Sequence, residues 1–422
     1  MAEPAWVKTA QRLNTVCPYF TMFPLDFPLR ILRQADVGDR VLDPFCGRGT
    51  TLFAARQVGL GAVGIDINPV AAAIAEAKVA PARAHAVSAL AAELLTNGYR
   101  PQQIPAGSFW ELAYHRSTLV DICRLREQLA DRTGGAASML RAIVLGILHG
   151  PLHKGPPTYL SNQMPRTYAT KPGAAVKFWQ VRNMTPPDVP VLDTLLRRID
   201  YSLCLIPPAM VRSEVYLGDA RDVLLRLRRR FDWVITSPPY YGMYTYVPDQ
   251  WLRNWFLGGP DSVVYDAQQQ VSRGGLAGFV TGLADVWRAV AKRCTPAARM
   301  FVRFGSLPGS LVDPEEVLRA SLEQADAGWA VESVRGAGLP AKRARQAIQF
   351  TGAGEYATEI DCQIGRSGAR SVRPAAAGSR PLPAAQRSGS RATSARDVTA
   401  SDDRGGGCRH ESAHGAVGRI TL

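Results

Sequence analysis

Two apolar runs, each closing on an acid and separated by a glycine-rich turn and a helix, constrain this chain more than any other feature. The run Asp39-Arg-Val-Leu-Asp43-Pro-Phe45 ends at a turn holding Gly47 and Gly49, and Thr50-Thr-Leu-Phe-Ala-Ala-Arg56 then opens a helix. Gly61-Ala-Val-Gly-Ile-Asp66-Ile67 repeats the apolar pattern and leads into an alanine-rich helix from Pro69, a residue type favoured at the first helical position. Strand, helix and strand in this spacing predict a parallel βαβ unit, so the expected class is α/β.

The same rhythm returns at Glu214-Val-Tyr-Leu-Gly-Asp219, at Phe231-Asp-Trp-Val-Ile-Thr236, at Arg299-Met-Phe-Val-Arg-Phe304 and in a final strand between residues 355 and 364. Between about Pro101 and Met210 it gives way to two helix-like stretches, 117–131 and 137–149, and then to a polar, proline-rich span from Lys154 to Pro172 that reads as a loop. The expected organisation is a first half over 1–100, a mainly helical insertion over 101–210, a second half over 211–364 and a tail over 365–422. Past Ile364 the composition falls to Arg, Ser, Ala, Gly and Pro, which cannot bury enough apolar surface to offset ordering, so a disordered basic tail is expected.

Hydrophobic residues at 46% and charged residues at 20% exclude a wholly disordered chain. No stretch nears the roughly 18 consecutive apolar residues of a membrane span, and the first residues lack an apolar signal core. The expected compartment is the cytoplasm. The seven cysteines are scattered with no CxxC pair, and His149 and His153 are separated by the helix breakers Gly150 and Pro151, so neither a disulfide framework nor a metal site is expected. The net charge of +14 favours a polyanionic partner, and the tail's ten arginines against four acids account for only six of those charges.

Chemistry concentrates at two places. In Asp43-Pro-Phe-Cys-Gly47-Arg-Gly49-Thr-Thr51 the glycines permit a tight turn and close approach to a ligand, while the helix behind offers free N–H groups. Asp66, 17 residues beyond Gly49, is spaced to accept hydrogen bonds from ribose hydroxyls, which implies a nucleoside-containing cofactor. A dinucleotide fingerprint asks for a third glycine where this chain has Leu52. Cys46 in this turn reads as a small packed residue.

The second place is Thr236-Ser237-Pro238-Pro239-Tyr240, at the end of an apolar strand. Two prolines without N–H donors leave turn carbonyls free to face outward, so Ser237 and the Pro238 carbonyl suit the two hydrogens of an exocyclic amine, with Tyr240 stacking on the ring. The plainer alternative is a tight turn that only closes a strand.

Together these residues resemble the S-adenosylmethionine-dependent amino-methyltransferases of DNA, whose cofactor and catalytic motifs look like Asp-Pro-Phe-x-Gly-x-Gly-Thr-Thr and Ser-Pro-Pro-Tyr. The resemblance extends to Tyr19-Phe-Thr-Met-Phe23-Pro24, similar to the segment holding the cofactor's methionine part, and to Gly218-Asp219. It implies a Rossmann-like class I methyltransferase sheet, mostly parallel with its last strand antiparallel. It also implies that Phe23, Asp43, Phe45, Gly47, Gly49, Thr50, Asp66 and Asp219 hold S-adenosylmethionine and that Ser237, Pro238, Pro239 and Tyr240 hold the target amine. Its substrate is double-stranded DNA with the target base flipped out, and its expected associates are restriction or other defence proteins. Ser at 237, not Asp, leans toward N4 of cytosine over N6 of adenine, although the cofactor motif comes first here and the commonest N4 order is the reverse. The alternatives are an adenine-N6 enzyme, a tRNA guanine-N2 methyltransferase and a DNA-binding partner without catalysis.

For recognition of nucleic acid, Lys154, Arg166, Lys171, Lys177 and Arg182 lie among Tyr159, Tyr168, Phe178 and Trp179, cations for phosphates beside aromatics for bases. Asn162, Gln163 and Arg166 carry groups that read base edges, so the insertion is the expected target-recognition element; a lid over the cofactor is the alternative. Tyr244, Tyr246 and Trp251, close behind the catalytic motif, are candidate walls of the base pocket. Lys342, Arg343 and Arg345 read as a solvated loop, and Arg226 with Arg228, Arg229 and Arg230 as a charge run at a helix end.

Overall fold

The computed structural model describes residues 12–19, 23–152, 154–165, 171–203, 211–242, 246–264, 275–307, 310–337 and 359–366. The expected tail lies outside them, apart from Gly365 and Arg366, and so do Arg166, Lys342, Arg343 and Arg345. Seven strands form one sheet: β1 Arg40–Asp43, β2 Gly61–Asp66, β3 Glu214–Leu217, β4 Phe231–Thr236, β5 Cys294–Gly305, β6 Trp329–Gly336 and β7 Glu359–Arg366. Their order is β3-β2-β1-β4-β5-β7-β6. The first five are mutually parallel, and β7 runs antiparallel to both of its neighbours.

Alternation along each strand sorts the side chains into two layers. Val41, Trp233, Ile235 and Phe301 face helices 26–32, 50–58 and 69–79, whereas Leu42, Val234, Met300, Val302 and Phe304 face helices 220–226, 275–293 and 314–325. Burial on both faces explains why β1 and β4 read as continuous apolar runs. Strand β6 was not expected from the sequence: its pattern of buried and exposed residues is irregular, as befits an edge strand with a register shift.

The insertion builds a third core. Helices 108–113, 116–129, 135–147, 172–181 and 191–203 pack Trp110, Tyr114, Ile122, Leu140, Ile143 and Trp179 together. Helix 84–96 contributes Val87, Ala91 and Leu94 and helix 251–256 contributes Trp251 and Trp255 to the same cluster. The span expected as a loop holds neither helix nor strand among its described residues up to Lys171, and helix 172–181 begins at its last residue, Pro172. Helix 69–79 joins the layers, with Ala75 and Val79 facing the sheet and Val70, Ala71 and Ile74 facing the insertion.

Candidate active site

From β1 the chain winds outward through β2 and β3 on one side, and β4, β5, β7 and β6 fill the other. This reversal opens a crevice at the carboxyl ends of β1 and β4, where α/β sheets hold ligands. Asp43 ends β1, Asp66 ends β2 and Thr236 ends β4. Because β7 is antiparallel, its first residue, Glu359, stands at this same end of the sheet, paired with Gly305.

The glycine-rich turn is pinned across to β2. Cys46 N donates to the Ile65 carbonyl at 2.9 Å, and Gly47 N donates to Asp66 Oδ2 at 2.8 Å. Gly49 sits at φ +75°, and a Cβ there would stand 2.8 Å from the Ala75 Cβ, so the turn and helix 69–79 approach only because the residue is glycine. Thr50 begins the helix directly behind it. Asp66 Oδ1 accepts from Asn68 N at 2.8 Å, which leaves lone pairs on both carboxylate oxygens for hydroxyl donors. Burial pushes the Asp66 carboxyl up to about 6.

Asp43 is buried more deeply. Its Oδ1 accepts from Phe45 N at 3.2 Å and from the Thr236 hydroxyl at 2.6 Å, while Oδ2 is buried with no partner among the described residues. Burial drives this carboxyl up to about 7 against the lowering effect of its hydroxyl and amide donors. Thr51 Oγ1 donates to the Ile235 carbonyl at 3.0 Å, a second tie between the turn and β4. Ser237 and Pro239 are half-buried and Pro238 is buried. The Tyr240 ring lies edge-on to Phe304 at 6.0 Å, and its hydroxyl donates to Glu359 Oε1 at 2.5 Å.

A segment over residues 12–19, here called the strap, is held by buried and half-buried cations from separate parts of the chain. Arg48, between the two glycines, donates to the Asn14 and Cys17 carbonyls; Arg198 of the insertion donates to Val16 O at 3.3 Å; Arg253, behind the Ser-Pro-Pro-Tyr segment, donates to Pro18 O at 2.6 Å. Lys78 Nζ donates to Asn14 Oδ1 at 2.9 Å, and burial lowers its pKa well below the ordinary lysine value. Gly146 lets the strap cross helix 135–147, since a Cβ there would run into the Val16 carbonyl. Burial, with the charge of Arg253 second, pushes His149 down to about 3, which keeps its ring neutral at physiological pH.

The remaining expected cofactor residues are spread around this frame. Phe23 is half-buried with its ring edge-on to Phe27 at 5.3 Å, and Phe45 meets Trp287 edge-on at 6.1 Å. Gly218 N donates to the Asp66 carbonyl at 2.9 Å, which brings Asp219 next to the end of β2. Asp219 caps helix 220–226, and hydrogen bonds from Arg221 hold its carboxyl below the usual carboxylate range.

Two expectations for nucleic acid are corrected. Asn162 is 0% exposed, its Nδ2 donates to Leu112 O and its Oδ1 accepts from Gln163 N, so its amide is committed to the insertion's own packing. Gln163 likewise spends Oε1 on Leu152 N and Nε2 on Met164 O. Trp251 is no pocket wall either: it is buried against Phe109 and Trp110, with ring centroids 5.0 and 5.8 Å away. Lys171 is exposed, whereas Tyr244 and the side chain of Tyr246 lie outside the described residues. Among the described residues, no three His, Cys, Asp or Glu side chains come together as a metal would need, and no helix is long and apolar enough to cross a membrane.

Neither sequence motif gives a role to Thr236, Arg48, Arg253 or Glu359. Arg48 was visible as a cation inside a glycine turn; Glu359 carried no local signal, because its partner Tyr240 is 119 residues away.

The strand order, with six parallel strands and one antiparallel strand inserted beside β5, is that of a Rossmann-like class I methyltransferase sheet. Residues 5–77 match the family model described as DNA methylase. The type II methyltransferase M.MjaII of Methanocaldococcus jannaschii is 47% identical over 47 residues, a match that spans 11% of this chain and 9% of that protein. The resemblance to the S-adenosylmethionine-dependent DNA amino-methyltransferases therefore holds over the segment that carries the glycine turn and Asp66. Solved structures aligned with the chain include TrmN from Thermus thermophilus, at 11% identity and TM-score 0.33 over 87% of this chain and 55% of that one. The rRNA methyltransferase aviRa from Streptomyces viridochromogenes aligns at 13% identity and TM-score 0.31, over 84% of this chain and 92% of that one. At those values the fold assignment stands on the strand order alone.

Proposed function

We propose that this chain is a DNA methyltransferase that uses S-adenosylmethionine to methylate an exocyclic base amine, N4 of cytosine in preference to N6 of adenine. The observation that carries the reading is the 2.6 Å hydrogen bond from Thr236 to Asp43, which joins the glycine turn and the Ser-Pro-Pro-Tyr segment in one crevice. The residues present fit the cofactor. Asp43 keeps a buried acceptor, Oδ2, with no described partner, and Asp66 retains lone pairs after its two backbone hydrogen bonds. Asp66 would hold the ribose hydroxyls, Asp43 an N–H or O–H donor of the methionine part, and Phe23, Phe45, Gly47, Gly49, Thr50 and Asp219 the rest. Bound there, the cofactor supplies an electrophilic methyl group.

The chain's own residues prepare the nucleophile. Ser237 Oγ and the Pro238 carbonyl accept the two amine hydrogens, which draws the nitrogen lone pair out of ring conjugation. None of the described residues takes up the Ser237 hydroxyl, so it is available for that bond. Pro239 fixes the turn, and Tyr240 offers its ring to a base taken out of the stack. Lys171 and Arg166 of the insertion are the proposed phosphate contacts, on double-stranded DNA.

The division of roles is tested by titrating the cofactor calorimetrically into variants and following methyl transfer alongside. Ser237→Ala and Tyr240→Ala should abolish transfer with cofactor binding kept, whereas Asp66→Ala should weaken binding itself. Equal loss of cofactor binding in all three would sink this assignment.

A further inference from the structure

Glu359 enters the crevice from a strand that neither motif predicts. It opens β7, and three contacts fix its backbone and register. Its carbonyl accepts from Ala337 N at 2.9 Å, and β7 pairs Glu359 with Gly305. Two residues on, Asp361 takes a two-pronged ion pair from the buried Arg303, with N···O distances of 2.6 and 2.8 Å. A carboxylate anchored in this way is a fixed point against which a ring can be set. The Tyr240 hydroxyl donates to it at 2.5 Å, while Phe304, the neighbour of Gly305 on β5, meets the Tyr240 ring edge-on. The phenol is therefore held at its oxygen and against the Phe304 ring, which leaves it little freedom to turn.

We propose that Glu359 is a positioning residue for the transfer, one that acts through Tyr240 by fixing the ring plane on which the target base stacks and by enriching that ring in electron density. The proposal rests on the methyltransferase reading above. As the amine nitrogen gains the methyl group it takes on positive charge, and a π-face stabilises a cation more strongly when the phenol donates its proton toward a carboxylate. The nitrogen then loses its proton to solvent; Glu359 forms no bond to substrate and takes no part in that step. Its role lies in the transition state and not in holding the cofactor.

The test is a double-mutant cycle on the full chain with Glu359→Gln, Tyr240→Phe and the pair, read three ways: single-turnover methyl transfer to DNA, cofactor affinity by calorimetry, and thermal unfolding. The expected result is that each single change slows transfer by about tenfold at unchanged cofactor affinity, and that the pair is no slower than Tyr240→Phe alone. The role is overturned if Glu359→Gln leaves the rate alone, or if it slows Tyr240→Phe by the same factor as it slows the parent. Thermal unfolding keeps the two readings apart. A parent chain that transfers no methyl group while the two positions remain coupled in stability would reject the methyltransferase reading and reduce the contact to packing. Activity without coupling would reject only the role of Glu359.

Discussion

The Thr236 hydroxyl donates to Asp43 Oδ1 at 2.6 Å although 193 residues separate the two, and among the described residues it ties the glycine turn to the Ser-Pro-Pro-Tyr segment. Both residues are almost fully buried. Thr236→Val keeps the shape but removes the donor, leaving a buried carboxylate oxygen one partner short. A loss of roughly 1–3 kcal/mol is expected, together with a lower rate of transfer. Denaturant unfolding and single-turnover kinetics check this; a variant as stable and as fast as the parent would remove the tie from the account.

Burial holds the carboxyls of Asp43 and Asp66 protonated to about pH 7 and 6, well above the ordinary 3.8. Between about pH 4 and 7 the folded chain therefore binds more protons than the unfolded chain, and this pair makes stability fall as pH rises. For Asp43 the effect is on the order of 4 kcal/mol across the window, at about 1.4 kcal/mol for each tenfold change in proton affinity. Melting temperatures across that range should show Asp43→Asn flattening the fall relative to the parent. Parallel curves for the two proteins would contradict the assignment.

Cofactor affinity should carry the opposite slope. Ligand donors prefer the ionised carboxylates, so binding is expected to tighten from pH 5.5 toward 8, most steeply near the values of Asp66 and Asp43. Calorimetry across the range checks it, and a flat profile would mean that neither carboxylate receives a ligand proton donor.

Gly49→Ala tests the close approach of the turn to helix 69–79. The added Cβ meets Ala75 at 2.8 Å in a left-handed backbone, so the turn must shift, with a cost of about 1–3 kcal/mol and loss of cofactor binding. Gly47→Ala has open space around its Cβ and suffers from backbone conformation alone, so it should retain more stability than Gly49→Ala. Melting curves of the two variants give the ranking.

Arg253→Met separates the strap from the segment behind Tyr240. It strips a donor from the Pro18 and Leu145 carbonyls, at about 1–3 kcal/mol for each buried acceptor left unpaired. A lower melting temperature and weaker cofactor binding are expected, with Arg253→Lys restoring part of both. Unchanged cofactor affinity would confine the strap to stability.

What the sequence revealed, and what it hid, follows from the range of each interaction. The strands β1, β2, β4 and β5 were legible because a buried parallel strand is a local apolar run, the half-buried edge strand β3 because its short Val-Tyr-Leu run closes on Gly218 and Asp219, and the glycine turn because φ above zero demands glycine at Gly47 and Gly49. The edge strand β6 left no such run. Asn162 and Gln163 look like base readers in one dimension, and only the folded insertion reveals that Leu112, Leu152 and Met164 use up their amides. The Glu359 and Arg253 contacts join positions 119 and 235 residues apart, with no local pattern to announce them.

The most direct test of the central claim is nucleoside mass spectrometry after incubation with labelled S-adenosylmethionine and, separately, unmethylated plasmid DNA and bulk tRNA. N4-methylcytosine in the DNA is the expected result. N6-methyladenine would keep the reaction and reverse the reading of Ser237, whereas label in tRNA alone, or in neither substrate with the cofactor bound, would contradict the claim that this crevice methylates DNA.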